Sequence, residues 1–247
     1  MDTVARLSLQ ERDDLFQETA SRRGVRVEII EKDFWVCWTL RHLFDLPGLD
    51  QHLIFKGGTS LSKIFKIIER FSEDIDISVN RDYLGFHPET AVGSNERKGQ
   101  IEALGKTCRI KVMDDLMPRL GSTFRQILGE AGGYLKLADD PSQITLLFGY
   151  PRTISSKSQY TGYISPVVRI EFGARSDHWP FERSSIIPYA AEEFPAFFTK
   201  PSYELKVLAA ERTFWEKATI LHAEYHTGRK RAVAPSGSPG TTMTYTC

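Results

Sequence analysis

Apolar positions recur at helical spacing in the first fifty residues. Ser8 followed by Glu11 has the spacing of a capping box, and a helical pattern runs from there to Gly24. A second run, Val27 to Phe44, places Ile30, Phe34 and Trp38 on one stripe and Val36, Leu40 and Leu43 on the other side, before Pro47. That helix is expected to be buried on two faces. The pattern then shortens. His52–Phe55 reads as an extended piece running into Lys56-Gly57-Gly58-Thr59-Ser60, Leu61 to Arg70 as one short helix, and Ile75 to Val79 as a strand. Glu96 to Leu128 is a long charged helical stretch with a break expected near Pro118–Gly121. Tyr134–Leu137 and Ile144–Phe148 read as strands joined by an Asp139-Asp140-Pro141 turn, and Val167–Phe172 as another. Residues 175–200 are rich in Pro, Ser and aromatics and suggest an irregular excursion. Ala209 to about Tyr225 is a helix, with Phe214, Ala218 and Leu221 expected to face inward.

Composition narrows this to one large domain or two small ones. The 247 residues are 41% hydrophobic and 26% charged, with Lys+Arg and Asp+Glu equal at 32 each. With no net field to gather polyanions, nucleic acid would have to be held by a local basic surface. Cys37, Cys108 and Cys247 fit no zinc spacing and cannot all pair, which suits a reducing compartment. The N-terminus carries no apolar signal region, and no stretch of about 18 apolar residues could span a membrane. A cytoplasmic protein is expected.

The chemistry concentrates in Gly57-Gly58-Thr59-Ser60 and Asp74-Ile75-Asp76. In a strand, Asp74 and Asp76 project from one face while Ile75, Ile77 and Val79 project from the other. Two neighbouring carboxylates repel unless a cation lies between them or one is protonated. An all-oxygen set with open positions suits Mg²⁺ shared with substrate phosphates. Glycines let the backbone approach a ligand, and the start of the following helix aims N–H groups at an anion. This is not a Walker A loop. A Gly-Gly turn alone is an ordinary strand-to-helix connection and an isolated Asp-x-Asp is equally common; their combination is selective. His222 and His226 lack the glutamate of a zincin motif, and no Gly-x-Ser-x-Gly elbow is present.

The segment FKGGTSLSKIFKIIERFSEDIDISV resembles the signature of the AbiEii/AbiGii nucleotidyltransferase toxins, members of the DNA polymerase β superfamily. Lys56, Leu61, Ser72 and Glu73 share in the match. Glu211-Arg212-Thr213-Phe214-Trp215-Glu216-Lys217-Ala218 is similar to the family's later lysine-bearing helix motif. The resemblance implies an α/β (α+β) fold: a mixed sheet flanked by helices, with helical segments at both ends. It divides the chain into a helical segment (1–50), a nucleotidyltransferase core (51–190), a strand and lysine-bearing helix (191–228) and a tail (229–247). It also implies a third carboxylate on a neighbouring strand. Glu171 fits that place, because Arg169, Glu171 and Gly173 share a face opposite Val168, Ile170 and Phe172; an ion pair with Arg169 is the plainer reading of the same residue. Asp74, Asp76 and Glu171 become the expected metal ligands, Glu171 doubling as general base. Lys56, Gly57, Gly58, Thr59, Ser60 and Lys217 become the expected nucleotide-binding residues. Read without the family, Lys217 is a solvated helix lysine.

The implied reaction transfers a nucleoside monophosphate from an NTP to a hydroxyl of RNA (possibly tRNA) or protein. Two Mg²⁺ ions, about 3.5–4 Å apart in such sites, would assist. The implied setting is the toxin half of a toxin–antitoxin or phage-defence pair, with a cognate antitoxin. A small-molecule nucleotidyltransferase and an inactive nucleotide-binding remnant are the alternatives. The remnant is raised by the C-terminus. The family carries an Arg-His-Tyr-Tyr-Asp motif after its lysine helix, and Ser236 to Cys247 lacks it. One permitted codon set for those residues, read two nucleotides on, spells Arg-Leu-Ser-Arg-His-Tyr-Tyr-Asp-Leu-His-Leu. Its Asp is forced, since Met243 ends in G and Thr244 begins with AC. A frameshift between about Tyr225 and Ser236 is therefore expected, leaving a frameshifted or disordered tail and a weakened or inactive enzyme.

Overall fold

A computed structural model describes residues 1–69, 71–86, 94–130, 132–140, 143–153 and 165–233. The frameshift reading of 236–247 falls outside them. After a short α1 (Asp2–Ala5) come α2 (Leu9–Arg23) and α3 (Val27–Phe44). The Ser8 capping box forms in full, and Gly24 ends α2 in the left-handed conformation that glycine adopts without strain. Helix α3 is buried on all sides. Phe34, Trp35 and Trp38 pack with Phe124, Phe148 and Tyr150 in a continuous aromatic core.

The sheet holds β1 (Leu53–Lys56), β2 (Asp74–Val79), β3 (Tyr134–Leu137), β4 (Ile144–Gly149), β5 (Val167–Gly173), β6 (Phe181–Ile186) and β7 (Tyr203–Leu208) in the order β3-β4-β5-β2-β1-β7-β6. The β2–β5 and β1–β7 pairs are parallel and the others antiparallel, so the sheet is mixed. Its apolar face, with Ile75, Ile77, Val168 and Ile170, joins α3 in the core. Around it stand α4 (Gly57–Lys63), α5 (Ser94–Lys111), α6 (Met117–Leu128) and α7 (Tyr189–Glu193). The expected mixed α/β architecture is the one observed.

Four local expectations are corrected. The helix read as Leu61–Arg70 begins at Gly57 and stops at Lys63, and Lys66 follows with φ of 55°. The break near Pro118–Gly121 is instead a π turn at Val112–Leu116; Pro118 sits in the first turn of α6, where a missing N–H costs nothing. Residues 175–200 contain β6 and α7. β6 was illegible because an edge strand exposed along most of its length shows no apolar alternation. Finally, in α8 (Ala210–Val233) Phe214 and Leu221 do not face inward: they are 60% and 71% exposed.

The chain clusters into two compact units, Met1–Ala210 and Glu211–Cys247. Among the described residues no helix is long and apolar enough to cross a membrane.

Candidate active site

Strand β2 alternates as the sequence requires: Ile75 and Ile77 enter the core, while Asp74 and Asp76 stand on the opposite, polar face. Its parallel pairing with β5 sets Asp74 across from Arg169 and Asp76 across from Glu171. Three carboxylates thus share one sheet face, on two adjacent strands. On the other flank, Lys56 pairs with Asp76. The Lys56 ammonium donates to the Ser176 hydroxyl at 2.6 Å.

Gly57 follows β1 directly and opens α4, with φ of 82°. A Cβ there would fall 1.7 Å from Oδ2 of Asp76, so the second carboxylate is seated directly against glycine backbone. Only glycine fits. The neighbouring hydroxyls are turned into the protein. Thr59 donates to the Asp74 carbonyl at 2.5 Å and lies 3.0 Å from the Ser72 hydroxyl; Ser60 donates to the Gly57 carbonyl at 2.8 Å. Both residues are buried. They therefore fasten the Gly-Gly turn to the first carboxylate residue.

A connection leaves β5 and runs beside this face. Ser78, next after Asp76 on the polar side, donates to the Ser176 carbonyl at 3.4 Å and contacts the His178 imidazole at 3.1 Å. Arg81 donates to the Ala174 and Arg175 carbonyls. Burial, and then the charge of Lys206, push the His178 imidazole down to about 4, so it is neutral at physiological pH.

The charges are unevenly matched. Arg169 lies 3.6 Å from Asp74 and 3.2 Å from Glu171. Burial raises the Asp74 pKa above the ordinary carboxylate value, Glu171 raises it further, and Arg169 opposes the rise. The ion pair that was the plainer reading of Glu171 is present, and Asp74 shares it. Behind the strands stands Lys32 of α3, 1% exposed. It donates to the carbonyls of Ser165 and Val167 at 2.8 and 2.5 Å and meets Glu73 at 3.0 Å. Burial lowers its pKa and Glu73 pulls the other way. Lys32 thereby ties the start of β5 to the residue before β2. It escaped the sequence reading, although Glu31-Lys32-Asp33 are three consecutive charges in a helix apolar on both sides.

The donor set and strand register suit a hard divalent cation, with three carboxylates side by side and a glycine cradle under one of them. The side chains are turned otherwise. Among the described residues no group of three or more His, Cys, Asp or Glu is drawn together to hold a metal ion, and Asp74 and Glu171 hold Arg169 instead. Lys217 is exposed on α8, in the second unit.

A mixed sheet with a Gly-Gly turn into a short helix, followed by an Asp-x-Asp strand, has the form of a nucleotidyltransferase. The family model described as the nucleotidyl transferase AbiEii toxin of type IV toxin–antitoxin systems matches residues 38–234. The chain belongs to that family. Among solved structures it is similar to MenT4, a nucleotidyltransferase toxin from Mycobacterium tuberculosis. That match has 20% identity and a TM-score of 0.40, covering 79% of this chain and 55% of that one. The chain thus spans about half the length of that relative. No curated protein matches it.

Proposed function

We propose that this protein is a divalent-metal-dependent nucleotidyltransferase that moves a nucleoside monophosphate from an NTP to an RNA hydroxyl and releases pyrophosphate. The observation that carries the reading is the register of β2 on β5, which sets Asp76 opposite Glu171 with Gly57 backbone packed beneath Asp76. Asp74, Asp76 and Glu171 would hold the Mg²⁺ ions, whose charge would offset the negative charge gathering at the transferred phosphoryl group. Glu171, the most laterally placed carboxylate, takes the proton of the attacking hydroxyl. The triphosphate lies against the Gly57-Gly58 backbone, because the Thr59 and Ser60 hydroxyls are engaged inside the protein. Lys56, beside Asp76 in the β1 register, adds a cation on that flank. The role of Lys217 at the phosphates rests on the family motif alone. The type IV family description supports a cognate antitoxin as partner and growth inhibition as the outcome of activity.

The test is incubation of the purified protein and an Asp76→Ala variant with labelled NTPs and Mg²⁺, alongside total tRNA or a panel of small hydroxyl compounds. Label on tRNA from the parent protein alone supports the proposal. Label only on a small molecule replaces it with a small-molecule transferase. Nucleotide binding without any transfer means a binding remnant.

A further inference from the structure

Arg169 has no part in the reaction as described above, yet it lies in ion-pair contact with two of the three carboxylates. Its place is set by backbone register. It is the Cα partner of Asp74 across the β2–β5 pair, and it precedes Glu171 by two positions on the same face. On its other flank the β4 partner is Leu147, which offers no anion. Within the sheet, the anions beside Arg169 are therefore carboxylates expected to ligate metal. Its guanidinium reaches both Asp74 and Glu171, at 3.6 and 3.2 Å. The group is 43% exposed, and Lys32 adds like charge from behind, so it is free to change partners.

We infer that Arg169 is the internal counter-ion of the carboxylate cluster, holding Asp74 and Glu171 in the nucleotide-free protein and passing to a phosphate oxygen of the NTP when metal and nucleotide enter together. This rests on the metal-site reading above. Three carboxylates on adjacent strands repel one another, and a guanidinium between two of them relieves that repulsion without metal. The planar fork of arginine pairs equally well with carboxylate and phosphate. A metal–nucleotide complex brings a cation that competes for the carboxylates and an anion that receives the arginine. Bare metal brings the competitor alone. Removing the arginine should therefore act with opposite sign on the two ligands, which a merely structural residue would not do.

The experiment titrates Mn²⁺ in the absence of nucleotide, by electron paramagnetic resonance, and then a non-hydrolysable NTP at saturating Mg²⁺, by calorimetry. Arg169→Met should bind bare Mn²⁺ about tenfold tighter, a unit charge having been removed from beside the ligands, and should bind the nucleotide about tenfold more weakly. Arg169→Lys should fall between the variant and the parent in both. Arg169→Gln carries the same expectation as the methionine variant should the latter fold poorly. Unchanged or weaker Mn²⁺ binding in a folded, charge-free variant overturns the inference, and so does unchanged nucleotide affinity. Asp76→Ala separates the failures. If it still binds Mn²⁺, the metal-site reading itself is wrong; if it loses Mn²⁺ while the Arg169 variants behave like the parent, only the role of Arg169 falls.

Discussion

Two clusters of charge flank the same strands and are built from the same kinds of residue. On α3, Glu31, Lys32 and Asp33 are 1%, 1% and 3% exposed. Each has a fixed partner: Glu31 accepts from the Thr153 N–H at 2.7 Å, Lys32 binds Glu73 and two carbonyls, and Asp33 accepts from the Tyr189 N–H and pairs with Lys63 at 2.6 Å. On the polar face of the sheet, Asp74 is 46%, Arg169 43% and Glu171 33% exposed, and two carboxylates share one guanidinium. Each charge of the first cluster is paired in the interior, by backbone groups or by an opposite charge, and cannot rearrange without being left unpaired there. The second carries surplus negative charge, within reach of water, on strands the first cluster holds in place. Paired, buried charge makes a frame; surplus charge on that frame makes a site.

That contrast is tested most severely at the site. Asp76→Ala should abolish nucleotidyl transfer while thermal melting stays within a few degrees of the parent, since an anion is removed from a face already rich in carboxylate. Retained transfer would show that Asp76 is not a ligand. Retained inactivity with a collapsed melt would place it in the frame instead.

Lys32→Met probes the other side. It strands Glu73 and two carbonyls, and should destabilise the fold by about 3 kcal/mol in denaturant melts. A loss under about 1 kcal/mol would erase the distinction between the clusters, because it would mean the buried lysine is no more committed than a surface one.

Gly57→Ala joins the two. Its Cβ collides with the Asp76 carboxylate at a backbone angle that side chains rarely adopt, so about 1–3 kcal/mol of stability should be lost, and activity with it. Full activity in this variant would show that the seat of Asp76 is not needed for chemistry. Lys217→Ala, on an exposed helix position, should change stability by less than about 0.5 kcal/mol while weakening NTP binding. A larger stability loss would mark that lysine as structural.

The Gly-Gly turn, the Asp-x-Asp strand and the face shared by Arg169 and Glu171 were legible because each depends only on local geometry. Side chains two apart in a strand share a face, and a doubled glycine before a helix marks close backbone approach. The same reasoning went astray for Phe214 and Leu221 on α8. Apolar spacing assigns residues to one side of a helix but does not supply what covers that side. The family resemblance set Thr59 and Ser60 among the nucleotide-binding residues without saying where their hydroxyls turn. That direction is set by their acceptors, the Asp74 carbonyl on β2 for Thr59 and the Gly57 carbonyl one turn back for Ser60.

The residues by themselves determined the extent of α3, that Asp74 and Asp76 share one face of their strand, and that Arg169 and Glu171 share one face of theirs; the mixed α/β class came with the family resemblance. Periodicity and capping act over a few residues, and no distant contact is needed to read them. The tertiary structure alone decided that β2 lies beside β5 in parallel register, that Lys32 spans from α3 to both, and that Arg169 also reaches Asp74. These facts join residues about a hundred positions apart. Strand order and register are fixed by how the apolar faces of the sheet and α3 bury one another, a global packing optimum that local pattern does not encode.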